Sequence, residues 1–330
     1  MSAKYNLGEK VSLRNAYGKY LTELGKKYEN IFVLEADLGK STKANTFGER
    51  FPERYREVGI SEAFMQAKAA GVASTGFKVF THTFAIFVTK GTEKILQAIA
   101  RDKRDVKIIG THGGISVGPD GDSHQGINDI AVMRSIPGIY VFCPADAVEV
   151  EGMLDFMAEN DSPTYMRISR NNLPIIHKPD HRFMPGKAGM LVGDHSGKRD
   201  DKWVTIISYG DTVHTSLEAA ELLNGYGSIN PFVMNMSSIE PIDKDNIYLA
   251  KLESDLMVTV EDHVLEGGLG EAVAREVSGI YSPKSRLKKL KTIGLEGLAE
   301  SGSASDLYKK YGLNAEGIKN SIVRELKEIS

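Results

Sequence analysis

His112, Asp120, Asp122 and His124 stand among five glycines in the stretch THGGISVGPDGDSHQG, residues 111–126. Imidazoles and carboxylates on so pliable a backbone suit three roles: metal ligation, phosphate binding, or a solvated loop without chemistry. The spacing matches neither an HExxH helix nor a paired zinc pattern, and a hard-cation loop would want more carboxylates, so the metal role is the weakest. Other side chains that could join such a site lie in GISEAF (Glu62), THTFAIF (Phe84, Phe87), EADLGKST (Asp37, Ser41) and ISRNN (Arg170), with Arg14 on an amphipathic stretch. Each also has a plain structural reading. Glu62 follows Ser61 at a helix start, where Ser would cap free N–H groups and a carboxylate suits the helix dipole. Phe84 and Phe87, three apart, could share a buried helical face, and Arg14 could be a solvated charge.

The surrounding elements give these positions weight. Apolar residues recur at helical spacing over 12–28, and IFVLEAD follows as a short β-rich run. The alternation continues with helical 62–75, strand KVFTHTF, helical 92–103, strand VKIIGTH, helical 127–136, strand IYVFCP, helical 146–160 and strand PTYMRIS. Such alternation predicts an α/β fold of parallel, layered sheets, and the unbroken apolar runs predict strands buried on both faces. Ligands of open α/β sheets sit at the carboxyl ends of the strands, where every candidate except Arg14 falls. The Pro-, Gly- and charge-rich residues 176–202 predict a connection between a first domain, 1–175, and a second, smaller α/β domain, 203–330. The second domain offers no comparable collection. Its GGLG at 267–270 precedes a helix but lacks the dinucleotide spacing.

Composition excludes several classes. A net charge of −3 and a pI near 6.3 leave no excess of Lys and Arg for nucleic acid or an anionic membrane. Cys143, the single cysteine, cannot form an intramolecular disulfide or a thiolate zinc site, and it fits a reducing, cytoplasmic setting. No run of about 18 apolar residues and no signal-type leader is present, so neither membrane insertion nor secretion is expected.

The motifs GISEAF, THTFAIF, THGGISVGPDGDSHQGINDIAVMRSIPGIYVFCPAD and ISRNNLP resemble, in order and spacing, the carboxyl-terminal half of transketolases, over nearly the whole chain from Arg14 to YGLNAEGI. The resemblance implies a thiamine-diphosphate pyrimidine-binding domain followed by a transketolase C-terminal domain. It implies that Glu62 hydrogen-bonds the cofactor's aminopyrimidine, acting in acid–base catalysis, and that Phe84 and Phe87 pack around that ring, with Asp37 on the cofactor side of the cleft. Asp120 and His124 would bind the donor sugar's hydroxyls near the reacting carbons, His124 as a catalytic group. Arg14, Ser41, His112 and Arg170 would grip the sugar phosphate. Four positions depart from the family pattern: Asp122 and Ser123 where Pro-Thr is usual, Lys90 where another aromatic is common, and Ala63 after the glutamate.

GDT at 210–212 with downstream Asn235 only echoes the family's Gly-Asp-Gly and Asn, so no metal ligand is expected on this chain. The resemblance then implies a split enzyme, whose Mg²⁺ and diphosphate sites lie on a separate N-terminal subunit, assembled as α2β2. The implied activity is transfer of a two-carbon ketol unit from a xylulose 5-phosphate-like donor to a ribose 5-phosphate-like acceptor, in the pentose phosphate pathway. Two alternatives stay open: the β subunit of a 2-oxo acid dehydrogenase or half of a split deoxyxylulose-phosphate synthase, and a non-catalytic scaffolding subunit.

Overall fold

The computed structural model describes residues 5–193, 201–225, 228–279 and 282–329. The first sheet has seven strands in the order Ser238–Glu240, Tyr140–Phe142, Thr164–Ile168, Val106–Thr111, Lys78–Phe84, Ile31–Glu35 and Tyr55–Glu57. The six strands from its own domain run parallel. The seventh, Ser238–Glu240, comes from the second half of the chain and pairs antiparallel with Tyr140–Phe142. The second sheet runs Lys289–Leu295, Leu256–Val264, Lys202–Ser208, Ile229–Asn235 and Gly189–Val192. Its edge strand Gly189–Val192 is also antiparallel, and it lies inside the stretch expected to be connection only. Residues 194–200 of that stretch fall outside the described residues. The α/β expectation therefore holds with two antiparallel edges, each a strand of three or four residues too short to show a period.

Helices pack on the sheets through the stripes their sequences carry. Helix Leu13–Lys27 buries Leu13, Ala16, Tyr17, Leu21 and Leu24, one face at the 3.6-residue period, and Ser12 Oγ caps it by accepting from the Asn15 amide at 3.4 Å. Helix Ala147–Glu159 is capped by Asp146, which accepts from the Glu149 amide. One apolar interior runs through both halves, joining Val141 and Tyr165 of the first sheet to Ile207, Met234 and Ile239 from beyond the connection. Fully burying each such side chain is worth about 1.5–3 kcal/mol, so the two sheets are fused rather than tethered. No helix among the described residues is long and apolar enough to cross a membrane.

Candidate active site

Turns at the carboxyl ends of the first sheet's strands bring most of the candidate side chains into one row. Strand Lys78–Phe84 is buried along its length and ends on Phe84; Phe87 follows in the one-turn helix Ala85–Val88. The two phenylalanines do not share a helical face. Their rings stack, centroids 5.8 Å apart and 7° from parallel. The His112 ring packs on Phe84 at 3.9 Å, and His124 meets the edges of Phe84 and Phe87 at 6.3 and 5.6 Å. Parallel ring faces flanked by imidazoles suit a flat heteroaromatic group.

Glu62 closes one end of the row. It opens helix Glu62–Ala73 and is 4% exposed, yet Ser61 makes no side-chain capping bond there. The Glu62 carboxylate instead accepts from Lys90 Nζ, at 3.2 Å to Oε1 and 3.4 Å to Oε2, and the same ammonium sits 4.5 Å over the Phe87 ring. The Lys90 side chain is 52% exposed, so the lysine covers a buried carboxylate and an aromatic face from the solvent side.

Arg14 and Arg170 form the other end. Arg14 Nη1 donates to the Ser41 carbonyl at 2.9 Å and lies 3.1 Å from His112 Nε2. A guanidinium can only donate, so Nε2 accepts; Nδ1 then carries the proton and donates to Thr111 Oγ1 at 2.9 Å. Burial, then the charges of Arg14, Arg170 and His124, push His112 down to about 3, which keeps it neutral. Arg170 bonds the Val117 carbonyl and pairs with Asp120 Oδ2 at 3.1 Å. Burial and repulsion from Arg170 lower Arg14's pKa, and Asp120 opposes them. Two guanidiniums within electrostatic reach of each other and of one carboxylate are the groups that suit an anion on a chain without excess positive charge. Arg14 is thus a half-buried, oriented group and not a solvated charge.

Some candidates enter differently from expectation. Ser41 meets Arg14 through its carbonyl, and His112 engages Arg14 with the nitrogen that a phosphate would otherwise use. Asp37 is exposed with φ 61° and donates its amide to Glu57 Oε1 at 2.7 Å; among the described residues no contact joins its side chain to the row. Exposed Asp122 accepts from the Ser123 amide, and Ser123 Oγ lies 2.9 Å from His124 Nδ1.

Several residues that position the site carried no local signal. Glu35 is fully buried, accepts from the amides of Ala36 and Leu38 and from Thr42 Oγ1, and so shapes the turn that presents Ser41. Burial raises its pKa to about 8 against the pull of those bonds. The glycine-rich loop is held from the second domain. Asp262 Oδ1 accepts from the Ile115 amide at 2.9 Å and Oδ2 from Tyr308 OH at 2.8 Å, while Arg167 donates to the carbonyls of Gly126 and Asp262 at 2.9 and 2.8 Å. A Cβ on Gly113 would stand 2.1 Å from Arg167 Nε, and one on Gly114 1.9 Å from Asp262 Oδ2. These two glycines admit the protein's own side chains.

The two echoes in the second domain are committed elsewhere. Asp211 accepts from Ser169 and Asn171, and Asn235 donates to Glu149, so no shared cation site joins them. The helix Leu269–Ser278, which begins inside GGLG, has its first amides, Leu269 and Gly270, bonded to the buried Glu261 carboxylate. The Glu62–Phe84–Phe87 end offers a buried carboxylate beside stacked rings, the groups an aminopyrimidine would take. Among the described residues a three-ligand cluster stands elsewhere, Glu149, His177 and His181, at the junction of the domains.

Residues 9–175 match the pyrimidine binding domain of transketolase and residues 193–318 its C-terminal domain. A Methanocaldococcus jannaschii protein named as a transketolase C-terminal section is 40% identical over 320 residues, covering 96% of both chains. Human transketolase is 33% identical over 320 residues, 96% of this chain and 49% of its own, so the chain spans about half the length of that relative. A solved split-gene transketolase, described as an inactive β4 tetramer, superposes with a TM-score of 0.84 at 35% identity, covering 97% of this chain and 99% of its own.

Proposed function

The chain belongs to the transketolase family, as the C-terminal half of a split transketolase, and from that premise we propose that, with an N-terminal partner subunit, it moves a two-carbon ketol unit from a ketose phosphate to an aldose phosphate. The observation that carries this reading is the row itself, a buried carboxylate and stacked rings at one end and two guanidiniums at the other. When bound, thiamine diphosphate supplies the nucleophilic carbon and electron sink of the reaction. Glu62 would hydrogen-bond the aminopyrimidine, the reach that general acid–base catalysis needs. Phe84 and Phe87 would pack around that ring, with Lys90 covering the Glu62 carboxylate and the Phe87 face from the solvent side. His124 and Asp120 bind donor hydroxyls beside the reacting carbons. Arg14 and Arg170 take the phosphate, with Ser41 and His112 fixing Arg14. Asp37 borders the cofactor from the rim.

The Mg²⁺ and diphosphate ligands belong to the partner in this reading, in an α2β2 assembly acting in the cytoplasm within the pentose phosphate pathway. Likeness to a protein described as an inactive β4 tetramer supports an isolated chain that assembles but does not turn over. Reconstitution with a partner bearing Gly-Asp-Gly and a downstream Asn tests it. Transfer from xylulose 5-phosphate to ribose 5-phosphate is expected, lost about 10²–10⁴-fold in Glu62→Ala with the complex intact. Activity on pyruvate with an electron acceptor, or with a triose phosphate acceptor, would replace it with an alternative reading. An unchanged Glu62→Ala complex would mean a scaffold.

A further inference from the structure

Away from the row, the residues around the start of helix Ala147–Glu159 gather three potential ligands. Glu149 Oε1 lies 3.9 Å from His177 Nε2 and 3.9 Å from His181 Nε2, and the three ligand atoms sit within 4.8 Å of one another. The imidazoles stack at 4.1 Å between centroids. His177 is 5% exposed and Glu149 2%, and both Nε2 atoms are buried without a hydrogen-bond partner. An orphaned buried nitrogen costs stability unless something meets it.

The surroundings orient these atoms for a cation. His177 Nδ1 lies 3.0 Å from Asp146 Oδ2, a carboxylate that also accepts from the His177 amide at 2.8 Å. This bond puts the ring proton on Nδ1 and aims the Nε2 lone pair at Glu149 and His181, the carboxylate–histidine arrangement that backs metal-bound imidazoles. Asn235 Nδ2 steadies Glu149 Oε1 at 2.9 Å, and its own Oδ1 is buried and unpartnered beside it. His181 lines a surface groove with Tyr20, Gly152, Asp155 and Phe183, which gives an ion a way in.

We propose that Glu149, His177 and His181 bind one divalent transition-metal ion of the zinc class. Two imidazoles and one carboxylate are the donor set of such ions and not of Mg²⁺ or Ca²⁺, which take oxygen. Tetrahedral bonds of about 2.0–2.1 Å place ligand atoms roughly 3.3 Å apart, so the 3.9 Å pairs close by about half an ångström. Asn235 Oδ1 or a water completes the shell. The bound ion ties the HKPDH turn of the interdomain connection to the first domain's helix start and, through Asn235, to the second sheet.

Titration of the full-length, chelator-dialysed chain with Zn²⁺, followed by calorimetry and elemental analysis, tests this. One Zn²⁺ per chain is expected, with a raised thermal midpoint, no response to Mg²⁺ or Ca²⁺, and a tetrahedral visible spectrum when Co²⁺ replaces it. His181→Ala, at the half-buried ligand, should keep the fold by circular dichroism and weaken Zn²⁺ by more than the roughly 10–100-fold typical of losing a supporting contact. No saturable one-to-one binding, or a His181→Ala chain that binds Zn²⁺ as tightly as the parent, would overturn the site.

Discussion

Gly114→Ala is a sharp probe of how the glycine-rich loop is held. Gly114 has φ +73°, and an added Cβ would lie 1.9 Å from Asp262 Oδ2 and 2.3 Å from its Cγ. The backbone term alone costs about 1–3 kcal/mol for an L side chain at φ 73° and ψ −166°, a region essentially confined to glycine. The Asp262 carboxyl cannot swing away freely, because it is buried and bonded to the Ile115 amide and Tyr308 OH. Moving it forfeits a hydrogen bond to a charged acceptor, about 1.5–3 kcal/mol, and crowding adds roughly 1–3 kcal/mol. These terms overlap, so a loss of about 3–6 kcal/mol is expected, a large share of a typical domain's stability. Gly76→Ala serves as control: its φ is +94° and nothing lies within 4 Å of the new Cβ, so only the backbone term applies. Urea midpoints measured side by side should separate the two variants clearly, and Asp262→Ala in the Gly114→Ala background should recover part of the loss through non-additivity. Equal midpoint shifts for Gly114→Ala and Gly76→Ala would refute the claim that the second domain clamps this loop.

Arg14→Ala or Arg170→Ala in the reconstituted complex should raise KM for phosphorylated donors about 10–100-fold, the size of a lost charge-assisted hydrogen bond, and leave an unphosphorylated ketose nearly unaffected. An equal effect on both substrates would remove the phosphate role. His112 titrates near 3 in the folded chain, well below the ordinary value near 6.5. Its unfolded state therefore binds the proton first, so stability is lost as pH falls from about 6.5 toward 3, by up to roughly 1.4 kcal/mol per pH unit. Urea midpoints from pH 6.5 to 5 should fall less steeply in His112→Asn than in the parent; parallel slopes would contradict the buried, neutral imidazole. Cys143 is buried and burial raises its thiol pKa, so Ellman's reagent should label it only after denaturation. Rapid labelling of the native chain would mean that this part of the core opens.

Legibility followed locality. Strands such as Lys78–Phe84 and Val106–Thr111 announce themselves as apolar runs, and their carboxyl ends collect the chemistry, so Phe84, His112 and Glu62 could be singled out from sequence. Ser238–Glu240 could not be: three residues show no period, and their partner strand lies about a hundred positions earlier. Glu35 is a carboxylate within a β run, and nothing in EADLGKST tells that it folds inward to bond Thr42 instead of outward to solvent. The fine roles within the row escaped for the same reason. A histidine's type suggests a phosphate ligand, whereas the direction of Arg14's guanidinium decides which ring nitrogen remains available.

Gly113 and Gly114 carry the larger lesson about what this half-enzyme is built to do. A glycine-rich loop beside a predicted site invites the thought of a ligand approaching the backbone. Here Arg167 and Asp262 occupy that space, and they join the loop's base to the strand that precedes GGLG and, through Tyr308, to the penultimate helix. The partners of one hydrogen bond, Ile115 and Asp262, stand 147 positions apart. Asp262, pushed up to about 6 by burial, sits at the centre of that clamp. A first domain expressed alone would keep Glu62, Phe84 and the arginines but lose the carboxylate and tyrosine that hold the glycine-rich loop at Ile115. The second domain is therefore part of the geometry of the glycine-rich loop.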